Sequence, residues 1–261
     1  MKLTPSFLLL LIAGCFNNTS QPKTVFTTFR PPIIIQKFNV DTILPFKNDR
    51  IEGIYPLLVG HYKLTDTIHF VEPGQFGNIS KDDAKWEISG LYEIDSLTSD
   101  GLQIIPDYNT SIAYKRGIFE RKLFYPVYIV NETNQDKVFY GKDGHGYGIQ
   151  EALDTSRYKS WHPIESIGYD FCGNGDFRKR IRPGEFLMFL LPKYDGSFNT
   201  LIRIRFQIGK NIFVSRAFKG IINPEQFNID KRDWIYDRLK ETKGEAASYL
   251  FYGGNPREVF E

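Results

Sequence analysis

Residues Leu201 to Ile208 read LIRIRFQI. In an extended chain Ile202, Ile204, Phe206 and Ile208 fall on one face, and Leu201, Arg203, Arg205 and Gln207 fall on the other. A period of two with one apolar face predicts a β-strand that covers a core and turns its charged side outward. Gly209-Lys210-Asn211 follows, with two residues tolerant of positive φ, so a short hairpin is expected to return Ile212 to Phe218 as the partner strand.

Upstream, Phe186 to Leu191 is a continuous apolar run after the turn Arg182-Pro183-Gly184-Glu185. Proline presets φ at the first central position of that turn and glycine accepts positive φ at the second. LFYPVYIV, Leu123 to Val130, reads as a strand buried on both faces. Pro126 has no N–H to donate, which predicts an edge position or a bulge there. Asn131-Glu132-Thr133-Asn134 turns the chain, and Lys137 to Tyr140 returns it. Lys142 to Gly148 reads as a flexible glycine-rich loop, followed by a strand carrying Trp161. The chain ahead of this region holds short apolar bursts at 51–59, 62–71, 86–94, 102–105 and 110–114, separated by turn residues. None keeps a helical period for three turns. A subdomain that packs on the core, or shares strands with it, is expected.

Composition agrees with a β-rich chain. Aromatic residues reach 15%, with 22 Phe, 15 Tyr and 14 Pro in 261 residues. A net charge of +2, from 33 basic and 31 acidic residues, removes any whole-protein electrostatic case for nucleic acid.

The N-terminus carries Lys2 and the apolar run Phe7 to Ile12, too short to span a bilayer. The following Ile12-Ala13-Gly14-Cys15 resembles a bacterial lipobox. That resemblance implies cleavage before Cys15, diacylglycerol on its thiol, and an anchor to a membrane surface. Cys172 would then be the only other cysteine, with no intrachain disulfide. The polar stretch after Cys15 reads as a tether. It lacks the acidic run that resembles a surface-export tag in Bacteroidetes lipoproteins, so the expected location is the bacterial cell envelope, lipid-anchored to the outer membrane and facing the periplasm. Asp41-Thr42-Ile43, Asp66-Thr67-Ile68 and Asp95-Ser96-Leu97 are similar to Bacteroidetes O-glycosylation tripeptides; they are also ordinary turn and strand residues.

A wider resemblance rests on order. Asn131-Glu132-Thr133, Trp161-His162-Pro163-Ile164-Glu165, Cys172, Pro183-Gly184-Glu185, Pro192 to Gly196, Leu201-Ile202-Arg203 and Ser215 to Phe218 follow one another as in Ig-like domains of Bacteroidetes lipoproteins. It implies a mainly β chain: an antiparallel Ig-like β-sandwich with an N-terminal β-rich extension and a short C-terminal helix. The expected segments are 1–14 signal peptide, 15–30 tether, 31–117 N-terminal β-rich subdomain, 118–222 sandwich core and 223–261 C-terminal helix and tail. The helix is expected over Asp230 to Thr242, N-capped by Asp230 with Asp233 three residues on, and burying Ile235 and Leu239.

No nucleophile elbow, phosphate loop, His-Glu-x-x-His or Cys-x-x-Cys occurs. His145, His162, Asp170, Cys172 and Asp176 are of types that suit zinc, but their spacing fits no zinc motif, so no metal and no cofactor is expected. The candidate ligand or partner surface is Tyr147, Tyr158 and Trp161, with Arg203 and Arg205 on the polar strand face. Expected is a non-catalytic binding or assembly module that meets an envelope protein. The alternatives are a carbohydrate-binding lipoprotein, with aromatics stacked on sugar rings, and a hydrolase whose carboxylates or Ser/His/Asp groups converge only in space.

Overall fold

The computed structural model describes residues 28–71, 97–115, 119–155, 159–167, 176–208, 211–243 and 246–252. The signal peptide, Cys15, nearly all of the tether, the expected strand at 86–94, Tyr158, Asp170 and Cys172 lie outside them. The strands in chain order are β1 (Ile33–Ile35), β2 (Glu52–Gly53), β3 (Leu57–Lys63), β4 (Thr67–His69), β5 (Gln103–Pro106), β6 (Ile112–Lys115), β7 (Arg121–Val130), β8 (Lys137–Lys142) and β9 (His145–Gly146). They continue with β10 (Gly148–Asp154), β11 (Ser160–Pro163), β12 (Glu165–Ser166), β13 (Asp176–Ile181), β14 (Glu185–Pro192), β15 (Phe198–Ile208), β16 (Asn211–Val214) and β17 (Phe218–Ile222). Two short helices follow, α1 (Trp234–Glu241) and α2 (Ala247–Tyr252).

The chain is mainly β and forms an antiparallel sandwich. One sheet has eight strands in the order β13-β8-β9-β3-β14-β7, with β5 and β6 sharing the far edge of β7. The other has five, in the order β11-β10-β15, with β16 and β17 sharing the far edge of β15. Two parallel ribbons, β1-β4 and β2-β12, complete it.

The apolar pattern explains the layering. Tyr125, Val127 and Ile129 of β7, Leu187, Phe189 and Leu191 of β14, and Phe139 and Ile181 meet Ile204, Phe206 and Ile208 of β15 between the sheets. The alternate residues, Phe124, Tyr128 and Val130 with Phe186, Met188 and Leu190, pack on the opposite face beneath Phe29, Ile68 and Phe70. Strands β7 and β14 are therefore buried on both faces, as their unbroken apolar runs require.

Pro126 sits neither at a free edge nor at a bulge. Its carbonyl accepts from the Asp107 N–H at 3.0 Å, which places its missing N–H on the same side. That side faces the connection between β5 and β6, where no ladder donor is needed. Nor is Lys142 to Gly148 a flexible loop. Asp143 and Gly144, at φ 50° and 77°, make the tight turn between β8 and β9. A Cβ on Gly146 or Gly148 would fall within 2.7 Å of the Phe206 ring, so these glycines let the chain lie flat on an aromatic side chain.

The return strand after β15 is interrupted. β16 pairs with Arg205 to Ile208 and β17 pairs with Phe198 to Ile202. Between them, buried Ser215 exchanges hydrogen bonds with Ile204: its N–H donates to the Ile204 carbonyl at 2.8 Å and its Oγ accepts from the Ile204 N–H at 2.9 Å. The segment 31–117 supplies β3, β5 and β6 to the eight-stranded sheet, so it shares strands with the core.

Helix α1 starts later than the sequence implies. Asp233, not Asp230, is its N-cap, accepting from the Ile235 N–H at 2.9 Å. Asp230 is engaged instead by Arg232 at 2.7 Å and Arg50 at 3.3 Å. Ile235 and Leu239 are buried, and together with Leu250 and Phe251 of α2 they cover Ile149 on the outside of the five-stranded sheet.

Candidate functional site

Helices α1 and α2 cover only part of the outer face of the five-stranded sheet. The register fixes what else that face carries. Leu153 lies opposite Trp161, Glu151 opposite Arg203, Ile149 opposite Arg205, and Leu201 opposite Lys219. Leu201, Lys219 and Ile221 are exposed. Trp161, Arg203 and Arg205 thus share one face. Tyr147, in the link between β9 and β10, packs half-buried against the cluster of α1 and α2. It is separated from the Trp161 row by six residues, about 20 Å along a strand.

Arg203 is held in place. Its Nε donates to Glu151 Oε2 at 2.6 Å, and its guanidinium carbon lies 4.4 Å from the centre of the Trp161 ring. Glu151 is 1% exposed and the Arg203 side chain 17%, so the charge pair is largely withdrawn from water. The sequence marked Arg203 and Trp161 but not Glu151, whose partner is set by the β10-β15 register.

The inner side carries a second carboxylate with different company. Glu165 Oε1 accepts from Tyr194 Oη at 2.6 Å and Gln150 Nε2 at 2.7 Å, and Oε2 accepts from the Gln150 N–H at 2.8 Å. Gln150 in turn accepts from Tyr125 Oη at 2.8 Å and donates to the Pro192 carbonyl at 3.0 Å. Burial pushes the Glu165 carboxyl up to about 7, against the pull of these neutral donors. The same burial, with Glu165 beside it, drives the Tyr194 hydroxyl well above its ordinary range. Sequence reading missed this network. Its one signal is a glutamate flanked by Ile164 and Ile167 in a short strand.

Two histidines have defined polar partners. His162 Nε2 lies 2.8 Å from Ser160 Oγ, the two side chains sharing one side of β11. Burial lowers the His162 pKa, while Asp154 and Glu151 pull it the other way. His61 Nε2 lies 3.0 Å from Glu185 Oε2, which also accepts from the Arg182 N–H at 2.9 Å. Burial raises the Glu185 carboxyl, but the Arg182 N–H, His61 and the Arg182 guanidinium outweigh it and leave it lowered.

His145 and His162, members of the metal-type set, sit on different sheets. Among the described residues no group of three or more His, Cys, Asp or Glu side chains is placed to hold a metal. No helix there is long and apolar enough to cross a membrane. Of the glycosylation-like tripeptides, Thr42 ends a single 3-10 turn and Thr67 begins β4; Asp95 and Ser96 lie outside the described residues. In comparisons with known proteins, no family model, no curated protein and no solved structure matches the chain.

Proposed function

We propose that this chain is a lipid-anchored protein of the bacterial cell envelope, held to the outer membrane through Cys15 and facing the periplasm. Its β-sandwich serves as a non-catalytic binding or assembly module. The anchor rests on the Ile12-Ala13-Gly14-Cys15 run behind a short apolar segment. The binding role rests on one observation: the open part of the outer sheet face sets exposed Leu201 and Ile221 beside exposed Lys219, next to the Arg203–Glu151 pair. Exposed aliphatic side chains beside a lysine fit a protein surface that offers apolar contacts and a carboxylate. They fit a sugar ring less well. Stacking on sugar needs an open aromatic face, and the Arg203 guanidinium already lies over Trp161.

Two measurements test this. Cys15→Ala is expected to release the protein from membranes, and retention of the variant in the membrane fraction would refute the anchor. A photo-crosslinking residue at Leu201 or Ile221 in cells is expected to join the chain to one envelope protein in stoichiometric yield, with acidic residues at the crosslink. Unlinked protein that instead binds envelope polysaccharide would give the face to a glycan.

A further inference from the structure

Thr28 and Phe29 are pinned to one end of the sandwich. Glu132 Oε1 accepts from the Thr28 N–H at 2.7 Å, the Thr28 hydroxyl at 2.8 Å and the Phe29 N–H at 2.7 Å, while its Oε2 accepts from Gln103 at 2.6 Å. Backbone hydrogen bonds tie the neighbouring turns together. The Gly184 N–H donates to Asn131, the Leu64 N–H to Gly184, and the Ile33 N–H to Asp66.

From this end the β1-β4 ribbon runs across the eight-stranded sheet. Its inner side buries Ile68 and Phe70, and Ile34 packs against the same cluster. Its outer side does the opposite. Ile33 is 68% exposed, Ile35 47% and Val71 67%, with Leu64, 56% exposed, on the turn leading into β4. Arg30, Lys37 and Lys63, near these residues in the chain, are exposed, as is Asp66. Four large aliphatic side chains turned to water mark a contact surface.

Chain length favours one occupant. Twelve residues, Phe16 to Thr27, separate Cys15 from Thr28. Even fully extended, the thirteen steps from Cys15 to Thr28 reach at most about 47 Å. A lipid on Cys15 would therefore keep the Glu132 end of the sandwich, and the ribbon beside it, close to the bilayer. At that effective concentration a weak apolar contact is enough to hold.

We propose that the outward face of the β1-β4 ribbon, with Leu64, rests on the phospholipid surface. Ile33, Ile35, Leu64 and Val71 enter the interface, and Arg30, Lys37 and Lys63 meet anionic headgroups. This rests on the anchoring reading, because the tether supplies the proximity. The consequence is orientation: the outer face of the five-stranded sheet, on the other side of the sandwich, is turned away from the membrane toward its partner.

The test uses the mature chain in a Cys172→Ser background, with the polarity-sensitive dye NBD on Ile33→Cys, on Leu64→Cys and, as control, on Ile221→Cys. An N-terminal hexahistidine tag replacing residues 1–15 attaches each protein to phosphatidylcholine–phosphatidylglycerol vesicles through a nickel-chelating lipid. Docking is thereby read independently of native lipidation, which is checked separately by the mass of the cell-derived protein. The expected result is a blue shift and a several-fold gain in emission at positions 33 and 64 on vesicle attachment, none at 221, and loss of the change at 64 in an Ile33→Asp, Ile35→Asp double variant. Emission unchanged by vesicles would overturn docking. So would emission already shifted without vesicles, which would mean that another part of the chain covers the ribbon. An unlipidated native protein with a positive dye response would remove the anchor and leave the lipid-binding face standing.

Discussion

Two buried glutamates lie against the five-stranded sheet, Glu151 on its outer face and Glu165 brought to its inner side by β12, and they are satisfied by opposite means. On the outer face Glu151 meets a cation, Arg203, at 2.6 Å. On the inner face Glu165 meets only neutral donors from Tyr194 and Gln150. Coulomb attraction keeps a buried carboxylate charged, whereas neutral hydrogen bonds only soften its desolvation. The outer glutamate thus fixes a guanidinium at the surface. The inner one joins the two sheets through Gln150 and Tyr125 and takes up a proton near neutrality.

The inner face should be the more sensitive to truncation. Phe206 fills the space between the sheets and is the surface on which Gly146 and Gly148 lie. Phe206→Ala is expected to cost about 3–5 kcal/mol in urea unfolding, more than the loss of either glutamate's partners. A loss below about 1 kcal/mol would mean that the two sheets do not share a close-packed interior at that point.

On the outer face, Arg203→Ala strands Glu151 without its cation. Discounted for the partial exposure of Arg203, the expected loss is about 2–3 kcal/mol. Adding Glu151→Leu should recover most of it. Equal losses in the single and double variants would show that packing of Arg203 on Trp161, rather than charge, is what the site needs.

The inner glutamate should reveal itself through pH. Its carboxyl moves from 4.5 up to about 7 on folding, so the folded chain holds the proton more tightly than the unfolded one. Stability from this group is complete below pH 4.5 and declines as pH rises to about 7. At ~1.4 kcal/mol per unit the decline is on the order of 3 kcal/mol. Glu165→Gln should flatten that part of the profile. At pH 5 it should also lower stability by about 1–3 kcal/mol, because an amide directs N–H at one of the surrounding donors. Parallel profiles for the two proteins would show that Glu165 stays ionised throughout.

These contrasts explain what could be read from the chain. The alternation in Leu201 to Ile208 and the apolar run of Phe186 to Leu191 are local patterns, and both appear as strands with the expected faces. Partner choice is not local. That β3 lies between β14 and β9, or that β5 and β6 divide the edge of β7, depends on which distant strands close the sheet. Trp161, Arg203 and Arg205 could be marked because they stand out by residue type. Glu165 could not, since a glutamate beside Ser166 looks like a surface residue until Tyr194 and Gln150 arrive from other strands. Tyr147 failed for the same reason in reverse: a prominent aromatic beside glycines is half-covered by helices formed nearly a hundred residues later.

The smallest effect concerns the helical cover that leaves part of the outer face open. Asp233 caps α1 through the Ile235 N–H, and Ile235 and Leu239 then seat the helix over Ile149. Asp230, one turn earlier, lies outside the helix, where Arg232 and Arg50 hold its carboxyl well below the usual range. Capping predicts that Asp233→Ala costs about 1 kcal/mol. Asp230→Ala, which removes surface ion pairs and one hydrogen bond from the Arg232 N–H, should cost less than that. Hydrogen exchange gives the sharper reading. Asp233→Ala should speed exchange along α1 while leaving the N–H groups of β10 and β15 slow, because the cap holds the cover and not the sheet beneath it. Equal acceleration in helix and strands would show that α1, α2 and the outer face open as one unit. The apolar contacts to Ile149 would then be part of the sandwich core and not a lid on its edge.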